Sequence, residues 1–146
     1  MWILNNRELK KAPLNAFGFI YEIEFDDDTK YIGKKNFYSR RKRNFGKKEL
    51  ALITDKRRKK YEIVVKESDW KGYNSSNKTI LNKIKAGELP KNKKILSIAR
   101  CKKELTYLEE RELFLSDALL DSNYLNDNIA GKFYTKDLEG WELTKE

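Results

Sequence analysis

The sequence predicts a small α/β domain in which a central antiparallel sheet is flanked by helices. Three observations carry that prediction: an early apolar run with a period of two that doubles back on itself, a long late segment free of glycine and proline, and several short elements that must share one core because none can bury its apolar face alone. Residues 17–25 read Phe-Gly-Phe-Ile-Tyr-Glu-Ile-Glu-Phe, so Phe19, Tyr21, Ile23 and Phe25 alternate with Ile20, Glu22 and Glu24, as a half-buried strand requires. Asp26-Asp27-Asp28 supplies turn-prone carboxylates, and residues 29–32 resume an extended pattern ending at Gly33, which makes a β-hairpin. Residues 40–43 read as a short helix or helical turn, and residues 47–60 as an exposed basic connector. Residues 61–66, with Ile63, Val64 and Val65, form a third strand. Ser75 or Ser76 is placed to cap a helix carrying Ile80, Leu81 and Ile84, which Gly87 and Pro90 end, and residues 94–100 give another short strand. The strongest helix covers residues 105–119: Thr106 and Glu109 are spaced as in a capping box, and Leu105, Leu108, Leu115 and Leu119 fall in one stripe. Residues 121–128 are loop-like.

Composition narrows the chemistry. The 146-residue chain carries 32 Lys and Arg against 23 Asp and Glu, with no His, for a formal charge of +9. A chain of this length supports one modest hydrophobic core. No apolar run approaches the ~20 residues needed to cross a bilayer. Residues 1–11 lack the pattern of an export leader. The expected location is therefore the cytoplasm or the nucleoid, and the host cytoplasm if a phage encodes the chain. Cys101 is the sole cysteine, which excludes an intrachain disulfide and a cysteine-rich zinc site. Without His, any metal takes oxygen ligands, which favours Mg²⁺ or Mn²⁺ shared among carboxylate, water and a substrate phosphate. Residues 30–60 hold 14 Lys or Arg against only Glu49 and Asp55, a local balance of +12 that steers a polyanion, and DNA is the expected partner. No long apolar helical face backs this block, so a membrane surface fits less well.

Phosphodiester cleavage needs an activated nucleophile, neutralised phosphate charge and a stabilised leaving oxygen. Tyr21 and Tyr31 bracket the hairpin, Arg40 and Arg41 follow it, and Glu109 and Glu112 lie on the late helix. With one oxygen-ligated metal these residue types meet the need, although strand tyrosines usually pack and surface charges are usually solvated. Lys34 and Lys35, directly after Gly33, are candidates for the phosphate path. The longer glycine pattern of a Walker loop is missing, which argues against nucleoside-triphosphate hydrolysis. Further candidate DNA contacts are Arg43, Lys47, Lys48, Arg57 and Arg58 in the basic segment. Trp70 and Tyr73 have rings suited either to stacking on exposed bases or to supporting the core.

Gly18-Phe19-Ile20-Tyr21 followed by Tyr31-Ile32-Gly33 resembles the paired core motifs of the GIY-YIG nuclease superfamily. Residues 69–76, Asp-Trp-Lys-Gly-Tyr-Asn-Ser-Ser, and residues 105–133 are similar to phage-encoded homing-endonuclease-like members, so the resemblance spans residues 17–134. It implies a metal-dependent DNA endonuclease. In its terms Tyr21 is the general base or base-positioning group near the attacking water, and Tyr31 supports the same water or the scissile phosphate. Arg41 clamps phosphate charge, Glu109 is the helix-borne metal ligand, and Asn126 braces the site. On the residues alone, Arg40 competes with Arg41, Glu112 with Glu109, and Asn123 and Asn128 with Asn126. Phe19 stands where the first motif has its glycine, with Gly18 one residue earlier, a departure that bears on strand packing and leaves both tyrosines in place.

The expected layout is an N-terminal extension over residues 1–16, a nuclease-like domain over 17–134 that includes a basic connector at 34–60, and a C-terminal tail over 135–146. A noncatalytic DNA-binding protein on the same scaffold is the alternative function, since the basic field alone suffices for it. A protein-interaction adaptor comes third. One domain of this size has little surface for reading a long asymmetric target, so weak specificity, a dimer or a recognition partner is expected.

Overall fold

In the computed structural model, which describes residues 1–141, the elements run β1 (Ile3–Leu4), β2 (Arg7–Glu8), β3 (Gly18–Glu24), β4 (Lys30–Asn36), β5 (Tyr38–Asn44), α1 (Lys47–Ala51), β6 (Tyr61–Glu67), a 3₁₀ turn (Trp70–Gly72), α2 (Lys78–Lys85), β7 (Asn92–Ala99), α3 (Lys102–Leu115), β8 (Asn128–Ile129), β9 (Phe133–Tyr134) and a second 3₁₀ turn (Thr135–Leu138). The last residues of the expected C-terminal tail, 142–146, lie outside the described residues. The main sheet has the order β2-β1-β7-β3-β4, with β1 parallel to β7 and the other pairings antiparallel.

Strand β3 sits inside this sheet because one face is apolar throughout and Ile20 makes the first half of the other apolar as well. Phe19, Tyr21 and Ile23 enter a core with Trp2, Phe37, Trp70 and Ile80, whereas Ile20 enters a second core with Ile32, Ala99, Leu105 and Leu113. Two layers of cover follow from that alternation. The N-terminal segment, the first 3₁₀ turn and α2 close one face, and α3 closes the other. Residues 1–16, set apart by sequence as an extension, supply β1 and β2 to the sheet and the buried Trp2, whose indole donates to the Trp70 carbonyl at 2.6 Å. Burying an aromatic ring of this kind contributes about 1.5–3 kcal/mol.

The expected hairpin forms as β3 and β4, paired from Gly18 with Asn36 to Glu24 with Lys30. Gly18 lies under α3: a Cβ there would lie 2.6 Å from the Lys35 carbonyl and 3.1 Å from Leu105. The glycine missing at Phe19 is thus present one residue earlier, at the helix contact, which frees Phe19 to fill the opposite core.

Several local expectations are corrected. Residues 40–43 are not helical; they lie in β5, which pairs antiparallel with β6 as a two-stranded ribbon. The β-branched run Ile63-Val64-Val65 selects the extended state of its basic partner. The connector contains the short helix α1. The cap of α2 is Asn77, whose Oδ1 accepts from the Ile80 amide at 3.2 Å, while the Ser75 hydroxyl accepts from the Asn77 amide. Helix α3 begins at Lys102 rather than at the Thr106 box and ends at Leu115, which is 73% exposed, so Leu113 takes the core position assigned by sequence to Leu115.

Candidate active site

Tyr21 and Tyr31 lie on one face of the hairpin, with ring centroids 6.3 Å apart, and Tyr73 closes on Tyr21 edge-on at 6.1 Å. The register places Tyr21 opposite Gly33, and a Cβ at residue 33 would fall on the Tyr21 hydroxyl and ring. The second-motif glycine therefore makes room for the first-motif tyrosine. A register shift between Ile20 and Tyr21 in the pairing with β7 introduces an irregularity at this point, a device that re-aims side chains beside sites. Burial pushes the Tyr21 hydroxyl well above the ordinary phenol range, with Ser75 opposing as a hydrogen-bond partner. Burial and then the negative charge of Glu109 raise Tyr31. Both tyrosines stay protonated at neutral pH.

Ser75 is a residue that sequence reasoning missed as part of this cluster. It is buried, has a left-handed backbone (φ 78°), and its hydroxyl opposes the upward shift that burial gives both Tyr21 and Tyr31. The segment 69–76 marked the region, but a serine before a helix reads first as a cap.

On the other face of β4, Lys34 lies 3.8 Å from the Glu109 carboxylate and 3.4 Å from the Thr106 hydroxyl. Burial raises the Glu109 carboxyl above its usual range, and Lys34 pulls it back. Glu112, the sequence rival, has Arg111 at 3.7 Å instead. Glu109 is thus the helix carboxylate that shares the neighbourhood of Tyr31 and Lys34.

Beyond Lys34 a groove of about 690 Å³ opens between β5 and the start of α3, lined in part by Tyr38, Arg40, Lys34, Lys102 and Thr106. Arg100 also lines it, but its guanidinium is held by Glu104 at 2.8 Å. Arg40 and Lys102 take part in no ion pair among the described residues. Alternation along β5 turns Arg41 to the opposite face of the ribbon, where it borders a separate depression with Ser39, Val64 and Lys66.

Asn126 is buried against the open edge of β4. Its Oδ1 accepts from the Ile32 amide at 3.0 Å and its Nδ2 donates to the Ile32 carbonyl at 2.8 Å. On the same edge the Lys30 amide donates to the Asn123 carbonyl, and the Leu125 amide donates to the Lys30 carbonyl. Asn128 instead bonds Asp127 and the Gly131 amide.

The remaining candidates divide. Trp70 is fully buried between Phe19 and Phe37, and its indole donates to Glu67 at 2.9 Å, so it has no face for a base. Tyr73 is half-buried beneath the Lys35 ammonium, 4.0 Å from its ring, and Lys35 is also paired with Asp69 at 2.6 Å. Arg43 is clamped by Glu49 and Glu62, which ties it to the ribbon's own architecture. Lys47, Lys48, Arg57 and Arg58 are exposed beyond the ribbon end. Among the described residues no three His, Cys, Asp or Glu side chains cluster as a ready-made metal cage, and no helix is long and apolar enough to cross a membrane.

A family model described as "Putative endonuclease segE, GIY-YIG domain" matches residues 2–129. The match takes in both hairpin motifs, the ribbon, α3 and Asn126. No curated protein and no solved structure matches the chain.

Proposed function

The chain belongs to the segE-type GIY-YIG endonuclease family, and on that premise we propose that it is a divalent-metal-dependent DNA endonuclease whose scissile phosphate sits where the β4 edge meets the α3 groove. One observation supports this placement above the others: Lys34 reaches both Glu109 and Thr106, which joins the carboxylate to a cation-lined groove, while Tyr31 projects from the same strand.

In this reading the groove takes the DNA backbone. Arg40 and Lys102 neutralise phosphates along it, aided by the unpaired amides at the start of α3. The clamp that the family resemblance gives to Arg41 falls to Arg40, the neighbour that lines the groove. Lys34 leaves Glu109 partly free by standing 3.8 Å away, and it holds the scissile phosphate from the groove side. The Tyr31 hydroxyl, neutral and hydrogen-bonding, orients the attacking water. Tyr21, packed over Gly33, fixes Tyr31 in place together with Ser75. Asn126 holds the strand that carries them.

The donor chemistry fits a hard divalent cation. Glu109 offers one carboxylate, its surroundings offer hydroxyl oxygens, and such a cation takes its remaining ligands from water and phosphate. Mg²⁺ or Mn²⁺ bound at Glu109 supplies charge neutralisation for the phosphate and the leaving oxygen.

The test is conversion of supercoiled plasmid and labelled linear duplex with Mg²⁺ or Mn²⁺, with EDTA as the control. Wild type should cleave and EDTA should stop it. Glu109→Gln should bind DNA while cleaving roughly 100-fold or more slowly. Tight binding with no cleavage in either metal across varied substrates would instead identify a noncatalytic DNA-binding protein on this scaffold.

A further inference from the structure

The β5–β6 ribbon joins neither core. No residue of either strand is buried. Two strands alone are marginal in water, yet this pair is held firmly. Arg43 bridges Glu62 across the strands and Glu49 on α1, the Phe45 amide donates to the Lys60 carbonyl at one end, and the Ser68 amide donates to the Phe37 carbonyl at the other. Tied at both ends and with neither face buried, the ribbon offers its apolar and cationic side chains to a partner.

We propose that this ribbon seats in the major groove of duplex DNA, with Lys42, Ile63 and Val65 toward the base edges and with Arg40, on the same face, at the phosphate rim where the ribbon meets the α3 groove. The proposal rests on the nuclease reading for the identity of the polyanion. The register puts Val65 opposite Arg40 and Ile63 opposite Lys42. On this one face Tyr38, Val65 and Ile63 are 39%, 54% and 52% exposed, and neither Arg40 nor Lys42 has a carboxylate partner among the described residues. Glu67, the acid on this face, is engaged by the Trp70 indole and Lys71. Lys42 lies 4.1 Å over the Tyr61 ring and has no carboxylate to displace, and apolar groups beside such cations match the major-groove floor, where thymine methyls and guanine acceptors lie side by side; the minor groove has no methyls.

Position and size agree with that occupant. Tyr38 and Arg40 also line the α3 groove, so DNA lying over Glu109 continues onto this face without a change of side. Each strand has seven residues, about 23 Å of length at ~3.3 Å per residue. A two-stranded ribbon fits a groove about 12 Å wide and not one of about 6 Å. Beyond the ribbon, the basic residues 47–60 extend toward the flanking phosphates, where point charges add affinity without sequence preference.

The test uses the full chain in EDTA, so that binding is read without cutting. Affinity is measured for a pool of short random-sequence duplexes, for the same pool carrying bulky C5 adducts on its pyrimidines to fill the major groove, and for A·T-rich duplex saturated with netropsin to fill the minor groove. The adducts should weaken binding by about tenfold or more, and netropsin by less than about twofold. A Lys42→Ala/Val65→Ala variant, both sites exposed and the fold checked by circular dichroism, should bind the plain pool about tenfold more weakly yet bind the adduct pool like wild type, because the two perturbations remove the same contact and do not add. Equal affinity for plain and adduct pools, sensitivity to netropsin instead, or additive effects of variant and adduct would each overturn the ribbon assignment. Metal-dependent cleavage that persists alongside any of those results would leave the nuclease reading standing. Absence of binding to every duplex would overturn both.

Discussion

Replacing Asn126 with alanine isolates the brace on the β4 edge. The side chain satisfies both backbone groups of Ile32, at 3.0 and 2.8 Å, in a buried setting. Truncation leaves a buried N–H and a buried C=O without partners, at about 1–3 kcal/mol each. Some water enters at a sheet edge, so we expect a total near 2–4 kcal/mol, or roughly 5–15 °C in melting temperature for a chain of this size. Circular dichroism melts and urea titrations measure it. Asn126→Asp adds a signed check. A protonated carboxyl can accept from the Ile32 amide and donate to the Ile32 carbonyl, as the amide does, whereas a carboxylate can only accept and repels the carbonyl. The folded-state pKa of the introduced acid therefore rises above its unfolded value of about 3.9. The folded state then binds the proton more tightly, so the variant's deficit relative to wild type is small below about pH 4 and grows as pH rises toward neutrality. An Asn126→Ala protein melting within about 1 °C of wild type, or an Asp variant closest to wild type at neutral pH, would refute the bracing role.

Gly33→Ala should cost about 1–3 kcal/mol and depress cleavage, because the added methyl displaces the Tyr21 hydroxyl; melts and single-turnover cleavage report the two effects. Glu109→Gln should slow metal-dependent cleavage by roughly 100-fold or more in a folded, DNA-binding protein, whereas Glu112→Gln should retain most of it; selective loss in the Glu112 variant would move the ligand role there. Tyr21→Phe keeps the ring packing, should shift stability by only about 1 kcal/mol, and should slow cleavage. Because burial raises both Tyr21 and Tyr31 above the ordinary phenol range, the wild-type rate should show no gain from tyrosinate formation between neutral and mildly alkaline pH. Lys34→Met removes the cation that lowers the Glu109 pKa and leaves the burial that raises it, so the acid limb of cleavage should move to higher pH; a rate–pH profile of the two proteins reads the shift.

The hairpin was legible because its signal is local: Phe19, Tyr21 and Ile23 alternate, and Asp26-Asp27-Asp28 marks the turn. The ribbon was not, because nothing within residues 40–43 distinguishes a basic strand from a basic helical turn; its state is set by Ile63, Val64 and Val65 about twenty residues later. The same distance hid the role of Trp70. An indole followed by lysine, glycine and tyrosine looks available for stacking until Trp2, from the other end of the chain, caps its carbonyl and Phe19 and Phe37 cover its faces. On α3 the spacing of the leucines points to Leu115, but the buried position is Leu113, two residues earlier, so the stripe alone does not choose between Glu109 and Glu112. Asn126 was singled out through family resemblance, since a lone asparagine in a loop carries no mark of the strand edge it satisfies.

In the proposed nuclease reading, the edge position of β4 lets side chains from both faces of the sheet serve one phosphate. In β4, Tyr31 and Gly33 face the aromatic core side, and Ile32 and Lys34 face α3. In an interior strand these sets would be separated by the sheet itself, and no ligand would meet both. At the edge a phosphate can lie against the rim and reach the Tyr31 hydroxyl from one side and Lys34 and Glu109 from the other. An exposed edge carries unpaired amides and carbonyls that invite pairing with another chain. Here the Lys30 backbone is taken by Asn123 and Leu125 and the Ile32 backbone by Asn126, so the rim is sealed by a loop and one side chain instead of another long strand. A full sixth strand would satisfy the same groups but would cover the rim along its length. A side-chain seal at Ile32 satisfies the backbone while leaving the Lys34 end of the edge open, which is where the groove begins.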